Sequence, residues 1–161
     1  MEKNTNFSTL AILIIKDIRL AKQIHQGFIA QQLGKTPSAW TKIENGQAQL
    51  SFDSMIGACI ALQIKPADLM YLVEYLARVF NQYGFFFHYG NSNNEDDLLP
   101  LGMEFFNTCY PKALNHGLVS SLSLLQNFPV YVIPTFVRYC IDPDYKKTID
   151  FKVGGDSFYG I

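Results

Sequence analysis

The sequence predicts a mainly α-helical protein, with a five-helix N-terminal domain over residues 1–80 and a second domain, α-rich or α+β, over 81–161. Three observations support this. Apolar residues recur at helical spacing through the first 80 positions. Capping residues, prolines and an Asn-Gly pair cut that pattern into short pieces. Composition then shifts across "NQYGFFFHYGNSNNEDD", where two glycines, an aromatic cluster and a polar loop mark a junction. With 48% apolar and 17% charged residues, the chain can bury a core and is not of the disordered class.

In chain order, Phe7 to Lys22 repeats apolar residues at Leu10, Ile14 and Ile18 and at Ala11 and Ile15, the spacing of one helical face. Ile24 to Leu33 reads as a second short helix with Ile29 and Leu33 inward. The stretch "GKTPSAWTKIENG" (Gly34 to Gly46) holds the third. Thr36 is its cap, and Pro37 sits at the first position, where a missing N–H does no harm. Asn45-Gly46 stops it, because both residues tolerate the left-handed conformation. Ser51 caps a fourth helix, with Asp53 complementing its dipole and a predicted buried stripe of Phe52, Ile56, Cys59 and Ile60. Pro66 opens the fifth, through Leu69, Leu72, Val73 and Leu76 to Phe80.

Beyond the junction, "NEDDLLPLGMEFFNTCY" reads as a helix whose start Asp96 and Asp97 cap and charge, and "PKALNHGLVSSLSLLQNF" as another. "PVYVI", "FVRYCI" and "TIDFKV" are rich in β-branched and aromatic residues and read as strands, the first confined to an edge by Pro134; an all-helical reading fits nearly as well. The density of Phe and Tyr between 75 and 110 predicts an interface, with Leu10, Leu13 and Ile14 helping the second half to dimerise the chain.

The second and third helices share a mechanical logic. Counting Gln26 as the first position, Ala30 is fifth, Gly34 ninth, Trp40 fifteenth and Ile43 eighteenth. Two helices that cross steeply through a short turn need a small residue at the crossing and a turn residue that tolerates positive φ. Ala30 and Gly34 supply these, while Ile29, Leu33, Trp40 and Ile43 form an apolar wedge. Trp40 falls on that wedge and reads as core. Pro37, Ser38, Thr41 and Lys42, all small or polar, fall on the opposite side. Within 19–49 the chain carries Arg19, Lys22, Lys35 and Lys42 against one acid, Glu44, although the net charge is −1. A local positive face of this kind suits DNA; on charge alone an ordinary solvated surface suits it equally.

"IKDIR", "Q-x3-A-x2-LG", "T-x-S-x-W-x-KIENG" and "ALQIKPADL" occur in that order between Phe7 and Phe80, and this half of the chain resembles the Cro/CI-type (XRE family) helix-turn-helix of phage and bacterial repressors. The resemblance implies a lambda-repressor-like domain and a dimeric transcriptional regulator, expected to be a repressor, on double-stranded DNA. It implies that Gln26 touches backbone phosphate, that Pro37, Ser38 and Lys42 face base edges, and that Thr36, Thr41 and Asn45 lie near phosphates. Lys35 joins them as the turn's cation. Half-sites would lie one helical turn apart, ~34 Å. The chain departs from the family pattern at Gln23, where glycine is common and helix one is expected to end differently, and at His25, which replaces a Ser or Thr cap. Gly27 within the second helix weakens it by ~0.5–1 kcal/mol. Pro37 has no side-chain hydrogen bond to offer a base.

Other classes find less support. No phosphate loop, metal motif or nucleophile elbow is present, so no enzyme activity and no cofactor is expected. His25, His88 and His116 are dispersed, and Cys59, Cys109 and Cys140 form no CxxC pair, so free thiols in a reducing cytoplasm are expected. No apolar run is long enough for a membrane span, and the N-terminus does not read as a signal peptide. The alternative function is an antitoxin-like protein-interaction regulator, and a third is a regulator whose second half holds a small apolar molecule.

Overall fold

The computed structural model describes residues 2–90, 95–122 and 133–154, and among these the chain is mainly helical. It divides into two compact units, residues 1–99 and 100–161. The first unit holds a strand β1 (Lys3–Asn6), helices α1 (Phe7–Ala21), α2 (Gln26–Gln32), α3 (Pro37–Glu44), α4 (Phe52–Ala61) and α5 (Pro66–Gln82), and a strand β2 (Phe85–His88). The strands pair in parallel, Lys3 opposite Phe85 and Asn6 opposite His88. This pairing carries β2 into the first unit, which therefore runs past the domain end placed at residue 80. The aromatic cluster there is a roof, in which Phe80 meets Phe85 edge-on at 5.2 Å and Phe7 meets Phe87 at 5.2 Å.

The caps predicted at Thr36 and Ser51 form, and the chain adds one at Asn6. Asn6, Thr36 and Ser51 each accept a hydrogen bond from the backbone N–H three residues on, and His25 accepts one from Gly27 through Nδ1 at 3.0 Å. Helices α1 to α4 also end alike. In each, the second residue past the cap returns its N–H to a carbonyl five positions back, as in Ile24 to Arg19 at 3.0 Å and Lys35 to Ala30 at 2.8 Å. The residue between must be left-handed. Gly34 and Gly46 fill that place in α2 and α3, with φ 64° and 74°. In α1 and α4 it is Gln23 and Gln63, both at φ 57°, so α1 ends as a glycine would end it rather than differently.

The buried face of α4 departs from expectation. Ser54, Met55, Ala58 and Cys59 are buried, whereas Phe52 is 71% and Ile60 64% exposed. The buried stripe lies one step around the helix from the predicted one. At Gly57 an added Cβ would lie 2.0 Å from Leu33 Cδ2, so Leu33, the C-cap of α2, seats on a bare glycine of α4. Leu10, Leu13 and Ile14 are fully buried in the unit's own core and are not available for dimerisation.

In the second unit, α6 (Leu98–Glu104, which begins in the first unit) runs through a π-helical turn (Phe105–Cys109) into α7 (Tyr110–Asn115). Pro111 has no N–H for a regular helical bond, and Tyr110 N–H instead reaches Phe105 O. Gly117 at φ 68° ends α7, so the helix predicted over 111–128 stops at Asn115; 123–128 lie outside the described residues. The predicted strands at 136–141 and 148–153 are helical, in α8 (Thr135–Ile141) and α9 (Pro143–Gly154). Spacing outweighed β-propensity. Ile149 and Val153, four apart, are buried in α9, while Phe151, which strand alternation would bury with them, is 82% exposed. The first predicted strand (129–133) lies, but for Ile133, outside the described residues. Cys59, Cys109 and Cys140 are free and buried. Among the described residues no single helix is long and apolar enough to cross a membrane.

Candidate nucleic-acid interface

Helices α2 and α3 meet through the turn Leu33–Thr36. Ala30 is fully buried at the contact, and Ile29, Trp40 and Ile43 are buried beside it, as the wedge requires. Leu33, half-buried, belongs instead to the contact with Gly57.

The inner face of α3 is held by charge as well as by packing. Glu44 is 1% exposed and Arg19 7%. Arg19 Nη2 donates to Glu44 Oε1 at 2.6 Å and Nε to both carboxylate oxygens at 3.1 Å, while Nη1 donates to Ile24 O at 2.9 Å. The indole Nε1 of Trp40 donates to Glu44 Oε2 at 2.7 Å. One carboxylate therefore ties α3 to α1 and fixes the tryptophan one turn before it. Buried Lys16 stands in the same field. Burial pulls its pKa below the ordinary lysine value, against the charge of Glu44 and with that of Arg19.

Sequence reading missed this network, because it counted Arg19 with the surface cations. The signal was present: Arg19 lies four residues after Ile15 and Glu44 four after Trp40, each on an apolar stripe. Of the four basic residues assigned to a positive face, Arg19 is paired in the interior and Lys22 donates to Leu62 O at 2.7 Å. The exposed charge that remains on α2, α3 and their turn is Lys35 and Lys42, and the one acid among residues 19–49 is buried.

The outer face gathers the predicted set. Pro37, Ser38 and Lys42 are exposed along α3, and Lys35 and Thr36 are exposed in the turn before it. Thr36 is committed to its cap, its Oγ1 accepting from Ala39 N–H at 3.1 Å. Thr41 Oγ1 lies 2.9 Å from Pro37 O and 3.2 Å from Gln26 Oε1, which joins the start of α2 to the outer flank of α3. Asn45 is half-buried at the C-cap. Just beyond, Gly46 leaves room for Leu99, whose side chain would stand 2.7 Å from an added Cβ. Asp96 secures that segment by accepting from Thr5 Oγ1 at 2.9 Å and from the Leu98 and Leu99 N–H groups, the capping role expected of it. Among the described residues no group of three His, Cys, Asp or Glu side chains could hold a metal ion. The chain matches no family model, no curated protein and no solved structure.

Proposed function

We propose that this chain is a sequence-specific DNA-binding transcriptional regulator, a dimeric repressor in the cytoplasm, whose α2–α3 pair is a lambda-repressor-like (XRE-type) helix-turn-helix. The observation that carries this reading is the division of α3 into two faces. Trp40 is held inward by Glu44 and Glu44 by Arg19, and Pro37, Ser38 and Lys42 stand outward, exposed. A helix of eight residues fits a major groove, and its fixed angle lets a few side chains meet base edges in register. Lys42 supplies base contact and charge, and Ser38 a short hydrogen-bonding group. Gln26, held by Thr41, meets the phosphate backbone with Lys35, Thr36 and Asn45 around it. Pro37 offers only apolar contact, so DNA shape contributes to selectivity.

The test is selection of bound fragments from genomic DNA followed by titration of the selected site. The wild type should retain specific fragments. Lys42→Ala should weaken binding by about tenfold or more, since a base-reading contact is worth about 1–3 kcal/mol. Lys42→Ala and Ser38→Ala both binding like the wild type would refute the assignment.

A further inference from the structure

We propose that a cleft beside the C-terminal end of α3 binds a small primary amine, an ammonium group on an apolar body, and that the bound amine tightens the hold of α3 on DNA. Binding of the amine stands apart from the proposed function; its effect on DNA rests on that reading. The cleft lies wholly within the first unit, between the start of α1, the loop 46–50 that follows α3, and residues 96–99. Its volume is ≈ 330 Å³, at the small end of the range for ligand sites. At ~30 Å³ for each water displaced, it has room for a molecule of about ten non-hydrogen atoms.

The lining divides by chemistry. Ile12, Leu50 and Leu99 give the cleft an apolar wall. Ser8, Gln47 and Gln49 are exposed around it, and their side chains make no hydrogen bond among the described residues. They supply donors and acceptors without charge. Asp96 carries the charge in the lining and decides the class of ligand. Uncharged donors fix its carboxylate. Oδ1 accepts from Thr5 Oγ1 at 2.9 Å and from the Leu98 and Leu99 N–H groups at 3.0 and 3.1 Å, and Oδ2 accepts from Thr9 Oγ1. Among the described residues no cation pairs with it, and Oδ2 keeps a lone pair for a ligand. A fixed, uncompensated negative charge therefore borders the cleft. It repels phosphate, so the cleft does not extend the DNA face, and it favours an ammonium, whose hydrogen bonds to carboxylate are short and strong.

The cleft reaches the proposed DNA face through the backbone. The Gln47 and Ala48 N–H groups both donate to the Lys42 carbonyl, at 2.8 and 3.1 Å, so the loop that walls the cleft hangs from the residue proposed to read bases. On the other wall Asp96 is bonded to Thr9 of α1. An amine held between Asp96 and the loop ties that loop to α1. It orders the segment beneath Lys42 and brings a positive charge toward the phosphates, and both changes favour the DNA-bound state.

Phenethylamine would be titrated into the isotope-labelled full chain, with phenylacetate and 2-phenylethanol as its anionic and neutral matches, and backbone amide shifts followed by NMR. The amine should shift the amides of Ser8, Gln47 and Gln49 with a dissociation constant of about 1 mM or tighter. The acid should not bind, and the alcohol should bind about tenfold more weakly. Ser8→Phe, at an exposed position on the rim, should fill the cleft and abolish the shifts with an unchanged melting profile. Asp96→Asn should erase the preference for amine over alcohol. If Asp96→Asn does not fold, Ser8→Phe still decides. No shifts at the three amides, equal binding of acid and amine, or amine binding undiminished by Ser8→Phe overturns the site. On a selected DNA fragment, saturating phenethylamine should raise the affinity of the wild type about fivefold and leave that of Ser8→Phe unchanged. An equal effect on both proteins, or none, overturns the link to α3. A wild type that binds no DNA refutes the proposed function instead, and the amine titration still decides the cleft.

Discussion

The two units handle charge in opposite ways. In the first, Arg19 and Glu44 have side chains 9% and 0% exposed, and a tryptophan shares the carboxylate. In the second, Lys146 bridges Glu104 at 2.9 Å and Asp150 at 3.0 Å with all three side chains at least a quarter exposed, and Tyr139 donates to Asp150 at 3.0 Å. A buried pair adds little net stability over apolar packing, yet breaking it strands a charge in the interior. A half-exposed network is screened and can relax into water. The rigid arrangement lies beneath the face proposed to meet DNA, where a helix must hold one angle.

Breaking each network tests this contrast. Glu44→Ala should have the largest effect, about 3–5 kcal/mol in urea unfolding, because Arg19 loses its partner and Trp40 its acceptor. Lys146→Ala should cost about 1 kcal/mol or less. Equal losses would mean that the two networks do the same work. Between these lies a backbone term. Gln23→Gly and Gln63→Gly should each stabilise by about 1 kcal/mol by removing the cost of a left-handed non-glycine residue, and Gly34→Gln should lose a similar amount.

An alkaline titration sharpens the comparison through its sign. Lys16 has a lowered pKa, so above that value and up to the ordinary 10.5 the unfolded chain binds the extra proton and stability rises with pH. Lys16→Met should abolish this gain. Lys146 behaves oppositely. Its bond to Glu104 chiefly, then that to Asp150, raises its pKa, so its contribution is full below 10.5 and is lost as pH climbs toward the raised value. Tyr139, raised by burial and then by its bond to Asp150, adds to that loss. The smallest signal is kinetic. Burial pushes the Cys59 and Cys109 thiols up to about 11, so both should label slowly with a disulfide reagent at pH 8 until the chain is unfolded.

Much of the first unit was legible because its signals are local. Thr36, Pro37, Ser51 and Pro66 mark helix starts by backbone chemistry that needs no tertiary partner, and Gly34 and Gly46 mark ends in the same way. The outward set from Pro37 to Lys42 follows from the burial of Trp40 alone. What was misread depends on distant partners. Arg19 looked like a surface cation because Glu44 lies 25 residues away, and β1 escaped notice because its partner is 82 positions on. Strand-like residues in α8 and α9 misled because propensity is weaker than the four-residue spacing of Ile149 and Val153. Size alone points Phe52 and Ile60 inward, but Gly57 takes the tight contact with Leu33 and small Ala58 is the buried residue beside it.

The central claim is that a clamped α3 presents Lys42 and Ser38 to DNA. Its most direct test is titration of a selected genomic site with the wild type, Lys42→Ala and Lys35→Ala across a range of salt, with unfolding followed in parallel. Lys42→Ala should lose about tenfold or more in affinity for that site, and Lys35→Ala should mainly flatten the salt dependence by about one unit of slope, both with wild-type stability. Equal binding by all three proteins at every salt concentration would contradict it.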